Sequence, residues 1–123
     1  MKFDEMLQSI FDAIKHRDLN KLFSTASFDD DVVMIIPNGA FIKGRSAVAN
    51  LHAAWFADTD WQMDMKLLRS IETPEMGFAL IQVDYKDVNL NNPSYNSQQY
   101  LSLVFTRKDD EWFLVNDQTT PVI

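Results

Sequence analysis

From Phe3 to Ile14 the apolar residues Phe3, Met6, Leu7, Ile10, Phe11 and Ile14 recur at three- and four-residue intervals, with Asp4, Asp12 and Lys15 between them. One stripe of a 3.6-residue helix collects that set, so the spacing predicts an amphipathic helix ending near His16-Arg17, whose positive or polar groups suit a helix C-terminus. Asp18 can cap a short second helix that turns Leu19, Leu22 and Phe23 inward. The acidic triplet Asp29-Asp30-Asp31 then predicts a solvated turn. Val32 to Ile36 is β-branched except for Met34, which suits a strand buried on both faces. Pro37 ends it, and Asn38-Gly39 tolerates positive φ, so the chain can double back through Phe41-Ile42. Gly44 releases the chain into a third helix carrying Val48, Leu51 and Trp55 on one stripe, followed by a loop at Asp58 to Asp60.

From Trp61 the period changes to two. Trp61, Met63, Met65 and Leu67 alternate with Gln62, Asp64 and Lys66, the signature of a half-buried strand. A turn at Thr73-Pro74-Glu75 leads into a strand over Phe78 to Asp87, and Leu90 to Ser94 forms a polar hairpin loop. Further strands are predicted at Gln98 to Arg107 and Trp112 to Thr119, joined by a turn at Lys108-Asp109-Asp110. Helices followed by consecutive antiparallel strands imply an α+β architecture, a curved sheet closing over helices in one domain spanning residues 1–123. Alternation puts Trp61, Met63 and Met65 on the inward face with Ile81, Val83 and Tyr85, and leaves Asp84 facing out.

Composition narrows the partners. A net charge of −7, with 11 Lys and Arg that form no run, opposes nucleic-acid and anionic-membrane surfaces, since both call for a basic face. No segment approaches the ~18 apolar residues of a membrane span. The opening Met1-Lys2-Phe3-Asp4-Glu5 turns acidic at once, unlike a signal peptide, so the cytoplasm is the default location. The absence of cysteine removes disulfides, thiolate nucleophiles and Cys-ligated metal. Two histidines, His16 and His52, are too few for a His-rich metal centre, and the Asp29 to Asp31 triplet lacks the spacing of a calcium loop. HExxH, P-loop, GxGxxG and GxSxG patterns are absent, so no metal or cofactor is expected.

The order of elements carries a resemblance across nearly the whole chain. The short helix at Asp18-Leu19, the strand ending in Pro37-Asn38-Gly39, the helix opening Gly44-Arg45-Ser46-Ala47-Val48, four strands and a final Trp112-Phe113-Leu114-Val115 resemble the SnoaL-like branch of the nuclear transport factor 2-like superfamily. The resemblance implies a cone: a bent sheet wrapped round the first helix, open at one end to a pocket, with a homodimer built on the outer sheet face. It leaves activity open, because that superfamily includes ketosteroid isomerase, polyketide cyclases, dehydratases, epoxide hydrolases and non-catalytic association domains such as that of calmodulin-dependent kinase II. Ketosteroid isomerase-like sites need a basic carboxylate before the strand-ending Pro, a phenol on the first helix and a protonated carboxylic acid on the penultimate strand. Those places fall on Ile36, Ile10 and Leu101, and aliphatic side chains neither abstract protons nor donate hydrogen bonds. No isomerisation of 3-oxo-Δ5-steroids is expected.

On the last two strands the resemblance places Gln99, Leu101 and Leu103 inward, with Leu114, Asn116 and Gln118, and turns Asp117 outward beside Asp84. The expected pocket is mostly apolar, lined by Trp55, Trp61 and Met63, with Tyr85, Gln99, Asn116 and Gln118 as convergent polar groups. Each has a plainer reading: the amides can satisfy backbone at the sheet bend, Tyr85 can be a core aromatic, and the tryptophans and methionines can be packing. His52 reads as a helix-surface or dimer-contact residue and, in an enzyme, as the proton carrier. Leu68, Phe78, Leu80, Tyr100, Val104, Phe113 and Val115 alternate onto the outer face alongside Gln62, Asp64 and Gln98, a mixed surface that suits a dimer interface. Two functions follow from these readings: a pocket binding, or acting on, a small, mostly apolar, neutral ligand, and a non-catalytic homodimerisation or association module.

Overall fold

The computed structural model describes residues 2–87 and 95–122. The hairpin loop predicted at Leu90 to Ser94 lies outside the described residues. Helix α1 spans Phe3–Lys15 and buries Phe3, Met6, Leu7, Ile10, Phe11 and Ile14, the stripe its spacing predicts. Asp4 and Glu5 lie in its first turn and Lys15 in its last, each on the favourable end of the helix dipole. Arg17 adopts a left-handed conformation (φ 52°), and Asp18 N–H donates to the Ala13 carbonyl at 2.8 Å, closing α1 with a Schellman-type turn. The Asp18 carboxylate then accepts from Lys21 N–H at 3.0 Å and caps α2, Leu19–Thr25.

Strand β1 runs over Ser27–Ile35, so it already includes the acidic triplet, which the sequence pattern assigns to a turn. The residues between Phe28 and Val33 are where its pairing register shifts against the last strand, and this irregularity lets three carboxylates stay outside the ladder. Arg45 supports the kink, donating from Nε to the Phe28 carbonyl at 2.8 Å and pairing with Asp30 at 2.9 Å. After Pro37-Asn38-Gly39, with Gly39 at φ 86°, β2 (Phe41–Lys43) returns antiparallel to β1. Helix α3 covers Arg45–Ala57, entered through Gly44 at φ 99°.

The remaining strands are β3 (Trp61–Glu72), β4 (Met76–Asp87), β5 (Tyr95–Lys108) and β6 (Glu111–Pro121). They form one six-stranded sheet in the order β2-β1-β6-β5-β4-β3, antiparallel throughout except where β1 runs parallel to β6. The fold is α+β, with the helices packed in the concave face of this curved sheet. Asp109 and Asp110, both at positive φ, make the two-residue reversal between β5 and β6. The core lies between α1 and the sheet, where the Phe3 ring packs on Phe105 (5.6 Å) and Trp112 (4.9 Å). Gly77 on β4 faces that ring, and a Cβ there would overlap it.

Two bulges bend the sheet and decide which side chains face in. Leu67 pairs with Ile81 and Arg69 with Leu80, leaving Leu68 as the extra residue on β3. Phe105 pairs with Leu114 and Val104 with Asn116, leaving Val115 as the extra residue on β6. An extra residue inverts the alternation beyond it. Leu114 therefore faces inward as predicted, with Trp112 two residues before it, but from there on Asp117 and Thr119 take the inner face, and Asn116 and Gln118 do not.

Candidate functional site

The open end of the sheet holds a cavity of about 340 Å3. β1 and the turn after it contribute Met34, Ile36 and Pro37, and α3 contributes Leu51, His52 and Trp55. One residue from each remaining long strand completes the wall: Met63, Tyr85, Gln99 and Thr119. The surface is mainly hydrocarbon and aromatic, with His52, Tyr85, Gln99 and Thr119 converging on it beside the Trp55 indole, and no Lys, Arg, Asp or Glu lines it among the described residues.

Of the residues singled out from sequence, Trp55, Met63, Tyr85, Gln99 and His52 meet in this wall. Trp61 stands behind it. Its side chain is only 1% exposed and stacks on Trp55 (4.3 Å, 18° between planes) and on Tyr85 (6.1 Å, 12°). Trp61 Nε1–H donates to the Trp55 carbonyl at 2.9 Å, and the Arg17 guanidinium covers the Trp61 ring at 4.5 Å while also donating to the Trp61 carbonyl. These contacts fix the aromatic wall from the rear, so Trp55 and Tyr85 are preset rather than free to collapse.

Asn116 and Gln118 are not in the cavity. The Val115 bulge turns Asn116 toward the outer face, level with Val104, and leaves Gln118 exposed. The same bulge overturns the outward placement of Asp117, which is 6% exposed and paired across the sheet with Leu103. No apolar alternation survives in Asn116-Asp117-Gln118-Thr119-Thr120, so nothing in that run could have signalled the inversion or the place of Thr119.

The helix stripe also differs. α3 buries Val48, His52 and Phe56, one side chain every four residues, while Leu51 and Trp55 are half-buried at the cavity wall. His52 is thus an interior residue, not a surface one. Its Nδ1 lies 2.8 Å from the Val48 carbonyl, which can only accept, so that nitrogen carries hydrogen and Nε2 is the open lone pair of a neutral ring. Burial pushes the His52 pKa below its ordinary value, against the raising influence of the Val48 bond. Burial raises the Tyr85 phenol, and a hydrogen bond with the Trp55 side chain acts in the opposite direction. Gln99 donates from Nε2 to Ser97 Oγ at 3.3 Å.

A second, much smaller chamber of about 30 Å3 lies on the far side of His52 and contains Asp117. Burial raises the Asp117 carboxyl to about 7, and its Oδ1 has no hydrogen-bond partner among the described residues. The positions where an isomerase would carry its two acids and phenol hold Ile36, in the main wall, and Ile10 and Leu101, in the small chamber. Among the described residues no group of three or more His, Asp or Glu could hold a metal ion, and no helix is long and apolar enough to cross a membrane.

Comparison with solved structures returns the same architecture over almost the full chain. A candidate calcium/calmodulin-dependent protein kinase type II association domain from Thiobacillus denitrificans ATCC 25259 superposes with a TM-score of 0.79 at 19% identity, covering 99% of this chain and 96% of that one. A candidate dehydratase of the NTF2-like family from Streptomyces avermitilis gives 0.78 at 18% identity, with 98% and 93% covered. A ketosteroid isomerase-like protein from Erwinia carotovora atroseptica SCRI1043 gives 0.77 at 11%, also with 98% and 93% covered. Identities this low establish the fold alone. No curated protein matches the sequence. The SnoaL-like domain family, however, matches from residue 4 to residue 122, and the chain belongs to that family.

Proposed function

We propose that this domain binds a small, mostly apolar, neutral molecule in the cavity between α3 and the concave face of the sheet. The observation that carries the reading is the cavity itself, whose ~340 Å3 lies within the usual range for small-molecule sites. Its wall is preset by the Trp55–Trp61 stack and offers His52, Tyr85, Gln99 and Thr119 as hydrogen-bonding groups. Neutrality follows from the lining, since a charged ligand would lose its hydration there without meeting an opposite charge. A carbonyl or hydroxyl group on the ligand would find donors in Tyr85 and the Gln99 amide and an acceptor in His52 Nε2. If the domain turns its ligand over, hydrogen-bond polarisation of that group with His52 as proton carrier is the chemistry these residues support.

The test is native mass spectrometry of freshly purified protein without added ligand. The expected spectrum carries a fixed extra mass that is lost on denaturation. A bare protein that also shows no rise in melting temperature with a panel of neutral alicyclic and aromatic carbonyl compounds would overturn the reading.

A second role is favoured by the outer face of the sheet. Leu68, Ile71 and Tyr100 are exposed there, and Ile71, Phe78 and Val104 form a cross-strand row next to Asn116. These apolar side chains, set among polar ones such as Gln62, Asp64 and Gln98, suit burial against a second copy, and we propose a C2 homodimer built on this face. Homodimerisation and ligand binding use opposite faces of the sheet, so one does not exclude the other.

A further inference from the structure

Trp61, the first residue of β3, is fully buried yet does not line the main cavity. Its ring lies nearly parallel to two that do: Trp55, at 4.3 Å and 18°, and Tyr85, at 6.1 Å and 12°. The planes of Trp55 and Tyr85 are therefore close to parallel with each other, although the two residues come from different elements, α3 and β4. A hydrogen bond joins the Trp55 side chain to the Tyr85 phenol; the indole N–H can only donate, so the phenolic oxygen accepts. Two rings bonded edge to edge cannot lie on opposite faces of a third, so both rest on the same face of Trp61. The Arg17 guanidinium covers the other face at 4.5 Å, held there by donation to the Thr59 carbonyl at 3.3 Å and to the Trp61 carbonyl. The layers thus run from guanidinium to indole to a floor of indole and phenol side by side, and then to the cavity. Met34, Ile36 and Pro37 enter from β1 and the turn after it, which the strand order sets apart from β4, and add an aliphatic wall to the space over this floor.

We propose that Trp61 and Arg17, neither of which lines the cavity, are positioning residues: they hold Trp55 and Tyr85 in one plane, and that plane selects flat, unsaturated rings over puckered, saturated ones. This rests on the cavity being a ligand site and adds the shape of what the site takes. A flat ring can lie against the floor in an offset stack and gains attraction beyond its buried area. A saturated ring of the same skeleton meets the floor only through its projecting hydrogens. The saturated compound nevertheless has more apolar surface to remove from water, so burial alone would favour it. The two effects oppose each other, and a preference for the flat compound therefore identifies stacking. Trp61 matters because a floor clamped from behind has little side-chain freedom left to lose when a ligand arrives. An aliphatic residue in its place would fill part of the volume without presenting a face for both rings to lie on.

The probes are two pairs matched in skeleton and polar group: 2-naphthol with 2-decalol, and acetophenone with cyclohexyl methyl ketone. Their affinities are measured by isothermal calorimetry on wild type, Trp61→Leu and Trp61→Phe. In wild type the flat member of each pair should bind roughly three- to tenfold tighter, and its ring protons should move upfield in the NMR spectrum as they come over the floor. That preference should vanish in Trp61→Leu, with the saturated member's affinity retained, and return in Trp61→Phe, which restores a ring. Equal weakening of both members in Trp61→Leu would show a merely structural Trp61 and overturn the positioning role. Saturated members that bind wild type as well as the flat ones, or better, overturn the selection and leave the ligand site standing. Should none of the four bind, the ligand site fails and this inference with it. If Trp61→Leu does not fold, Arg17→Ala removes only the outermost layer: a reduced preference supports the stack's role, and an unchanged one overturns it.

Discussion

Asp117→Asn should change how the stability of this protein depends on pH. The carboxyl is held protonated in the folded state up to about pH 7, whereas the unfolded chain releases that proton near the ordinary value of 3.8. Below both values the two states bind the proton equally and Asp117 contributes no pH dependence. Between them the folded state binds more protons than the unfolded one, so stability falls as pH rises; above the folded-state value the loss is complete. At about 1.4 kcal/mol per pH unit across that window, Asp117 removes on the order of 4 kcal/mol between acid and neutral pH. Against a total stability of roughly 5–15 kcal/mol, that loss is large enough to read directly. The assay is urea unfolding of wild type and Asp117→Asn at pH 4 and pH 7.5, with the slope against urea checked for constancy. Titrating groups far from Asp117 are common to both proteins and cancel in the difference. The wild-type advantage over the variant should shrink by about 4 kcal/mol on going from pH 4 to pH 7.5. A difference that stays flat, or that grows with pH, would refute both the burial of this carboxyl and the bulge that turns it inward.

Gly77→Ala should destabilise by about 1–3 kcal/mol, because the new methyl group meets the Phe3 ring and that ring is clamped by Phe105 and Trp112. A fall in melting temperature of roughly 3–12 °C, partly reversed by adding Phe3→Leu, is the expected readout, and an unchanged melt contradicts the packing described. Gln99→Leu should weaken binding of the co-purifying ligand by about 1–3 kcal/mol, through loss of a buried hydrogen bond. Asn116→Leu should leave that affinity unchanged, since the bulge points Asn116 away; isothermal calorimetry on both variants separates the two faces. Sedimentation equilibrium at micromolar concentration should give twice the chain mass, and Tyr100→Glu on the exposed outer face should return it to one chain mass. A monomeric wild type would remove the proposed interface.

The helices and strands were legible because their periodicities are locally enforced. The stripe from Phe3 to Ile14 can be buried only as a helix, Asp18 has the side chain a helix cap requires, and alternation from Trp61 to Leu67 can satisfy only a strand. Four of the candidate cavity residues were legible for the same reason: Met63 and Tyr85 follow from strand alternation, and Trp55 and His52 lie on a helix face near the sheet. Gln99 followed from the family resemblance and lies on the inner face of β5. The finer placements were not legible. Asp29 to Asp31 read as a turn because three acids avoid strands, yet a register irregularity with Arg45 beside it keeps them in β1. Trp61 carried the alternation of a lining residue, but stacking behind Trp55 takes it out of the cavity.

The sequence by itself determined the order of elements, the α+β architecture and a largely apolar concave face, because propensity, capping and hydrophobic period act between residues a few positions apart. Tertiary structure alone decided which polar groups face inward. A single extra residue at Val115 exchanges Asn116 and Gln118 for Asp117 and Thr119, and whether β6 carries that residue depends on its pairing with β5 and on the bend that wraps the sheet round α1. The depth of His52 was settled in the same way. A helix with apolar residues on several sides can present more than one of them to the core, and only the packing of α3 against the strands selected the stripe of Val48, His52 and Phe56. The burial of Asp117 and of His52 is therefore a product of long-range packing, because no local preference in the chain holds a titratable side chain away from water.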